Sequence, residues 1–440
     1  MTIAQPKPAL LEQAVPRYTS YPTAPNFSAA VDGAVYSSWL GELAPGATLS
    51  LYLHIPYCHE LCLYCGCHTK ATRRHKPIEI YAARLLEEIA LVARQTGRHK
   101  VTHLHWGGGT PSTLGADLLR AIAGELRREF DLTALREHAI ELDPRYVTAE
   151  LAQVLAEIGV NRASFGVQDF DPQVQHAVGR IQPFAMVESA VAALRDAGID
   201  RINLDLMYGL PRQTVDGVRQ TARLAHALQP GRIAVFGYAH VPWFRPQQKL
   251  IDTAHLPNAP QRLAQAEAAH DTLVGLGYRA IGLDHYARDD DSLAPAATSG
   301  RLRRNFQGYT VDDADALIGL GASSISRLPQ GFAQNAPDVA GYSRAIMAGQ
   351  FATVKGIALT DDDRLRGGII ERLMCDMAVD LPADFSGALD TLRPFAANGN
   401  VAIDGNRLSI TEQGRPYARL VASAFDSYLT RDRARHSAAV

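Results

Sequence analysis

Cysteine is scarce: five residues in 440, four of them inside one ten-residue stretch, which excludes a disulfide-stapled scaffold. Charge of either sign is not in surplus. The 44 Lys and Arg stand against 46 Asp and Glu, for a net charge of -2. No overall field therefore draws the chain to nucleic acid or to an anionic membrane surface. No apolar run reaches the roughly 18 residues that a membrane span needs. The first twenty residues, MTIAQPKPALLEQAVPRYTS, lack the basic start and apolar core of a secretory signal. Fixed-period repeats and low-complexity tracts are absent too. What remains, 47% hydrophobic and 20% charged, is the composition of a soluble globular protein. A cytoplasmic chain is expected, and in that reducing compartment clustered cysteines are metal ligands or redox groups.

After a proline-rich lead (Pro6 to Pro25), short β-rich runs alternate with longer helical stretches. The expected strands are SLYLHIP from Ser50, VTHLHW from Val101, HAIELDP from His138, VNRASFGVQ from Val160, RINLDLMYG from Arg201 and RIAVFGYA from Arg232. Between the first two, PIEIYAARLLEEIALVARQ has apolar residues at helical spacing. Six strand-then-helix units imply a parallel sheet, because parallel neighbours need crossovers. An incomplete barrel and a doubly wound open sheet both fit that pattern. The unusual residues fall just after these runs: the cysteines, GGGTP, Asp143-Pro144-Arg145, Gln168, Tyr208-Gly209 and His240. In a parallel barrel those strand ends carry the active site. From about Gly356 the texture changes. Two helices, a hairpin in NVAIDGNRLSIT and a last helix in RPYARLVASAFDSYL suggest a small α+β domain.

The cysteine spacing is Cys58-x3-Cys62-x2-Cys65-x-Cys67. A redox pair needs only Cys62 and Cys65 and leaves two thiols over. A c-type haem needs His after the second cysteine of its pair, where Gly66 stands. Structural zinc stays open, although four ligands in one tight loop make a strained tetrahedron. An iron–sulfur cluster fits better. Three staggered thiolates can cap three corners of a cube and leave the fourth iron open to N and O atoms.

Cys-x3-Cys-x2-Cys with an aromatic, Tyr64, before the third cysteine resembles the radical S-adenosylmethionine (SAM) superfamily. Further stretches, among them PRYTSYPTAPNF, HWGGGTPS, ELDPRYV, SFGVQDFDPQVQ, GRIQP, NLDLMYGLPRQT, GYAHVPW, RRNFQGYT and GLGASSIS, resemble oxygen-independent coproporphyrinogen III oxidase from about Pro16 through the C-terminal domain. The resemblance implies a radical SAM-type incomplete (β/α)6 barrel at 47–290, after an N-terminal segment at 1–46. A connecting segment at 291–355 would complete the site, and 356–440 would form the small domain.

The implied reaction is oxidative decarboxylation of two propionates of coproporphyrinogen III to vinyls, giving protoporphyrinogen IX. A 5′-deoxyadenosyl radical takes hydrogen from the propionate β-carbon, and CO2 and one electron leave. The resemblance makes Cys58, Cys62 and Cys65 ligands of a [4Fe-4S] cluster whose open iron takes SAM. Cys67 is left out, since a fourth ligand would block SAM. Gly108, Gly109 and Thr110 would meet the methionine part of SAM. Glu141, Gln168, Arg180 and Asp205 would be further SAM contacts, with Tyr52 and Tyr64 beside the cluster. Ala239 and Ile325 match adenine- or SAM-facing positions, and the family suggests two SAM per chain. Where Tyr64 stands the family commonly has Phe, so its hydroxyl needs a partner. A related heme-chaperone branch is the alternative, but it usually has Cys-x-Phe where this chain has Cys65-Gly66-Cys67.

The histidines His54, His59, His68, His103, His105 and His240 do not have zinc-motif spacing. They read as strand-end polar groups, with His54 the candidate for a proton role. Arg17, Lys249, Arg303 and Arg304 are the expected cations for the substrate's propionates, with solvated surface charge the competing reading. A one-electron reductant protein is the expected partner, and a monomer the expected state.

Overall fold

The computed structural model describes residue 13, residues 15–382 and residues 385–429. The proline-rich lead from Pro6 to residue 12, and Asp384, lie outside those residues. Six parallel strands follow in chain order: β1 (Thr48–Ile55), β2 (Lys100–Gly108), β3 (Glu137–Leu142), β4 (Arg162–Gln168), β5 (Arg201–Tyr208) and β6 (Arg232–Gly237). They are the six expected from the sequence. The sheet is larger than expected, with twelve strands. Ala316–Leu320 adds a further parallel strand beside β1, and the antiparallel Ile325–Leu328, Gly331–Asn335 and Thr353–Ala358 extend that edge. At the other edge His285–Ala287 runs antiparallel to β6, and Arg279–Ile281 pairs antiparallel with His285–Ala287 in turn. The strand order has two ends, so the barrel is incomplete.

Strand periodicity sorts the side chains into two sets. Along β1, Leu49, Leu51, Leu53 and Ile55 are fully buried in the main core, where the outer helices pack. Their alternates, Ser50, Tyr52 and His54, face the barrel interior. The long helix His75–Thr96 shows why the outer layer forms. Its buried Ile78, Tyr81, Ala82, Leu85, Ile89 and Val92 recur every three or four residues, and it ends at Gly97, whose φ of +78° suits glycine. Below the barrel, at the strand starts, an ion-pair group fills the floor. Arg162 donates to Glu137 (2.8 Å) and Asp291 (3.2 Å), and Arg232 to Asp291 (2.6 Å).

The small domain has its own core around Leu373, Leu408, Val421 and Phe425. Helix Asp361–Asp376 starts with a capping box at Thr360, and Ser386–Ala397 follows. The expected hairpin pairs Val401–Asp404 with Arg407–Ile410, and a third strand not expected, Ala378–Asp380, adds to it. Strand Thr353–Ala358 belongs to the main sheet and crosses the boundary expected at 356. The last helix is shorter than expected. It covers only Ala418–Ser423, because the chain then turns to bury Phe425 and to lay Tyr428 against Tyr21, ring centroids 5.9 Å apart. Tyr18 and Tyr21 join this second core, so the segment ahead of the barrel straps the C-terminal domain. Tyr18 donates to Asp426 (3.0 Å), and Tyr21 meets the Ser427 hydroxyl at 2.9 Å.

Behind β1, Glu88 accepts from the Gly321 N–H, the Tyr342 hydroxyl and Asn335. Burial, outweighing these three donors, pushes its carboxyl up to about 7. The folded chain therefore holds this proton more tightly than the unfolded chain, whose glutamates titrate near pH ~4.3. The contribution is complete below that value and is lost as pH rises through about 7. Glu88→Gln is expected to flatten the fall in thermal midpoint between about pH 5 and pH 8, measured by circular dichroism against the parent chain.

Candidate active site

The loop 58–67 leaves β1 and is closed at its base by two short parallel strands, Tyr57–Cys58 and Lys70–Ala71. Its backbone is pinned from the far side of the barrel. Arg245 donates to the Gly66 carbonyl (2.9 Å), Gln247 to that of Cys65 (2.7 Å) and Gln248 to that of Tyr64 (3.0 Å). All four thiols are free and line one cavity of about 1650 Å³. Each has its own surroundings. Cys58 Sγ lies 3.2 Å from the Thr69 hydroxyl and 3.5 Å from that of Thr110. Arg180 donates to Cys62 Sγ at 3.3 Å. The Cys65 thiol is held below its ordinary value, first by the hydrogen bond from Cys67. Cys67 also offers its backbone N–H to Cys65 Sγ (3.4 Å).

Among the described residues no three His, Cys, Asp or Glu side chains gather as closely as one bare metal ion requires. A single ion needs ligands converging on one point. A cluster takes one thiolate per corner, so its ligands stand further apart. Three soft donors on one pinned loop, open to one cavity, fit an iron–sulfur cluster.

The cofactor-facing candidates arrive by strand parity. Glu141 on β3 and Asp205 on β5 both face the interior and line the cavity. Glu141 accepts from the Gly108 N–H (3.1 Å) and contacts His105 Nε2 (3.2 Å). Against the effect of burial, His105 keeps the Glu141 carboxyl below its ordinary value. Burial first, then the neighbouring Glu141, pushes Asp205 up to about 7. One carboxylate is thus ionised and its neighbour is poised near neutrality. Gln168 ends β4 at a register shift, in the left-handed region with φ of +66°. That conformation is sparsely populated for a residue with a Cβ.

Gly108, Gly109, Thr110, Tyr64, Gln168, Arg180 and Ala239 also line the cavity. Tyr52 and Ile325 do not. Tyr52 stands one row behind, stacked on His105 with centroids 5.8 Å apart. Its neighbour across the sheet is Gly319, and a Cβ there would meet the Ile325 carbonyl at 2.7 Å. Arg180 is fully engaged, holding Gln182, Asp143 and the Gly166 carbonyl besides Cys62. The histidines scatter. His54 contacts the Tyr52 hydroxyl and the His68 carbonyl, His103 pairs with Asp312, and the His59 ring lies tilted against Tyr146, centroids 4.2 Å apart.

Comparison with known proteins gives this arrangement a family. The Radical SAM superfamily model matches residues 52–225, and the HemN C-terminal domain model matches 359–417. An oxygen-independent coproporphyrinogen III oxidase of Bradyrhizobium diazoefficiens is 47% identical, over 98% of both chains. This chain belongs to the oxygen-independent coproporphyrinogen III oxidase family. A relative of the same name from Paracoccus denitrificans is 43% identical over 95% of both chains. The solved coproporphyrinogen III oxidase of Escherichia coli, a radical SAM enzyme, superposes with a TM-score of 0.90 at 38% identity. It covers 94% of this chain and 98% of that one. Membership of the radical SAM superfamily implies a [4Fe-4S] cluster and SAM. Neither relative is named as a heme chaperone.

For this family member the expected cations need correction. Arg17 and Arg304 line the cavity, but Lys249 and Arg303 do not. Lys249 is exposed on its loop, and Arg303 pairs with Glu371 at 3.2 Å, half-exposed. Neighbouring residues of the hairpin Arg303–Asn305 point to opposite faces, so only one of its two arginines turns inward. Sequence reading missed Arg262, Arg415, Arg419 and Asp284, which also line the cavity. Arg262 sits on helix Ala259–Gly275, and the others lie further along the chain.

Gly109, just past the end of β2, gives a test. Gly109 donates to the Ile55 carbonyl (2.8 Å), and Thr110 to that of Tyr57 (2.7 Å). A Cβ on Gly109 would collide with the Tyr57 carbonyl and sit 2.6 Å from the Thr69 hydroxyl, whereas one on Gly66 meets nothing within 4 Å. Gly109→Ala is expected to cost ~1–3 kcal/mol and to lower iron retention after anaerobic reconstitution; Gly66→Ala is the matched control. Equal thermal midpoints and equal iron content in the two variants would refute this reading.

Proposed function

We propose that this chain catalyses the oxygen-independent oxidative decarboxylation of two propionates of coproporphyrinogen III to vinyl groups, giving protoporphyrinogen IX. The observation that carries the reading is a single cavity of about 1650 Å³ with a three-thiol loop at one end and arginines at the other. A tetracarboxylate substrate needs those cations, and radical chemistry needs those thiols. The reading is supported by relatives of that name matching over nearly their whole length. When bound, the cluster and SAM supply a 5′-deoxyadenosyl radical that abstracts hydrogen.

The protein's part is binding, orientation and electrostatics. Cys58, Cys62 and Cys65 each give a thiolate to the cluster, while Cys67 serves Cys65 and stays outside the ligand set. Thr69 and Thr110 beside Cys58, and Arg180 at Cys62, stabilise thiolate charge by hydrogen bonding. Glu141 and Asp205 accept hydrogen bonds from the amine or ribose of SAM. Gly108, Gly109 and Thr110 let the methionine part lie close to backbone. Gln168, Tyr64 and Ala239 complete the wall, with Arg180 braced behind the loop and Tyr52 and Ile325 one row back. A second SAM is part of this reading; the cavity of about 1650 Å³, larger than the roughly 300–1,000 Å³ of a usual ligand pocket, would hold it together with the first SAM and the macrocycle. No acid–base pair is required at the reacting carbon.

The barrel at 47–290 carries the cofactors. The segment 291–355 completes the cavity through Arg304, Phe306, Gln307 and Gly308, and the C-terminal domain closes it through Arg415, Tyr417 and Arg419. A one-electron reductant protein, a monomeric state and a cytoplasmic setting belong to the same proposal. No helix among the described residues is long and apolar enough to cross a membrane.

The test is anaerobic turnover of reconstituted protein with SAM, a strong reductant and coproporphyrinogen III, followed by chromatography of porphyrins and 5′-deoxyadenosine. Both products are expected together; SAM cleavage without porphyrin conversion would remove the substrate from this proposal. Cys58→Ala, Cys62→Ala and Cys65→Ala are each expected to lose the cluster's visible absorbance and all turnover. Cys67→Ala is expected to keep the absorbance. Turnover surviving in any of the first three would sink the ligand assignment.

A further inference from the structure

Away from the cysteine loop the cavity is lined by Arg17, Arg262, Arg304 and Arg419. They come from four distant parts of the chain: the strap, helix Ala259–Gly275, the hairpin starting at Arg303–Asn305, and helix Ala418–Ser423. Guanidinium groups gathered in this way repel one another. Burial, with Arg17 and Arg304 adding to it, lowers Arg419 to about 9. Burial, and to a lesser degree Arg17, lowers Arg262. The carboxylate among them, Asp284, is kept at about 2 against burial, chiefly by Arg304.

Each of these four arginines is held in place by particular neighbours. The Arg304 side chain is 5% exposed and lies over the Tyr309 ring, 4.5 Å from its centroid. Its Nη2 donates to the Arg17 carbonyl at 3.4 Å. Its Nε and Nη1 have no hydrogen-bond partner among the described residues, with Nη1 3.8 Å from Asp284. Buried donors are nearly always paired, so Arg304, which lines the cavity, has guanidinium donors that the described residues leave unused. Arg262 rests against two glycines. A Cβ on Gly237 would sit 3.2 Å from its Nη2, and one on Gly209 would collide with its Nη1. The Tyr208 ring lies 5.6 Å from its guanidinium carbon. Arg17 donates to the Gly237 carbonyl at 3.3 Å, which ties the strap to the same place. Arg419 in turn holds the Pro16 carbonyl at 3.0 Å and that of Val15.

We propose that this wall is the carboxylate-recognition half of the cavity, in which Arg304 and Arg262, with Arg17 and Arg419, receive the acid groups of a polycarboxylate macrocycle. The inference rests on the substrate reading above and names the residues that read it. Guanidinium forks suit carboxylates because two parallel N–H donors match two oxygens. The strap and the C-terminal domain are then substrate-binding parts, since the wall exists only where they meet the barrel.

The probe is coproporphyrin III, the oxidised porphyrin with all four carboxylates, titrated anaerobically into cluster-loaded protein and followed at its Soret band. Its tetramethyl ester is the uncharged control. The parent is expected to bind the acid, more weakly as salt rises, and not the ester. Arg304→Gln and Arg262→Gln are each expected to weaken the acid by about tenfold to a hundredfold. Arg304→Lys, keeping the charge without the fork, is expected to recover part of that loss. SAM titration and thermal midpoints like the parent's show that fold and cofactor end are intact. Properly folded Gln variants that bind the acid as tightly as the parent, or an ester that binds equally well, would overturn the proposal. If those variants also convert coproporphyrinogen III with unchanged KM, the substrate reading stands and this wall falls. A parent that binds and converts no tetracarboxylate would remove both.

Discussion

Parallel pairing is the constraint on which the rest of this molecule depends. Strands that run the same way in one sheet must be joined by crossovers, and every crossover returns the chain to the same rim. The cysteine loop after β1, the glycines of β2, Glu141 of β3, Gln168 of β4 and Asp205 of β5 are therefore neighbours in space, though more than a hundred residues separate the first from the last. Period-two alternation adds a second sorting. Leucines at 49, 51 and 53 go to the helix layer, so Tyr52 can only face inward. The floor of the barrel is occupied by Arg162, Glu137, Arg232 and Asp291, leaving the opposite rim for chemistry.

That rim holds two electrostatic regimes in one cavity. At the cysteine end, thiols meet hydroxyl, amide and guanidinium donors, each favouring thiolate over thiol. Glu141 and Asp205 stand next to it with titration pushed apart, one low and one near 7. At the other end buried arginines accumulate with Asp284 in their midst. Burying like charges is unfavourable, and the fold tolerates it by giving some of those donors backbone carbonyls, such as Pro16 and Gly237. The strap thus does two things at once. Tyr18 and Tyr21 stabilise the C-terminal core, and the carbonyls beside them satisfy cations that line the cavity.

Much of the molecule was legible in its sequence because the informative signals are local. Six strands, the long first helix, the C-terminal hairpin and the cysteine spacing each lie within one short stretch, and each stretch obeys a periodicity or turn rule by itself. Nine of the eleven cofactor-facing residues that the family resemblance implied line the cavity. The misses are of another kind. Ala316–Leu320 joins the parallel sheet beside β1 across more than 250 residues, and nothing in its own residues names that neighbour. Lys249 and Arg303 were expected in the site on sequence position alone, whereas which face of a hairpin or loop turns inward depends on what it packs against.

The sequence by itself determined the class of fold, the loop that can hold a cluster and the rim at which chemistry occurs, because these follow from spacing and period along the chain. Only the tertiary structure decided which cations face the cavity. Arg17, Arg262, Arg304 and Arg419 are far apart in sequence, and no local pattern separates Arg17 and Arg304, which were expected there, from Lys249 and Arg303, or points to Arg262 and Arg419. They become one wall when strap, barrel and C-terminal domain close on each other, because the hydrophobic cores that bring those parts together fix the position of every polar side chain between them.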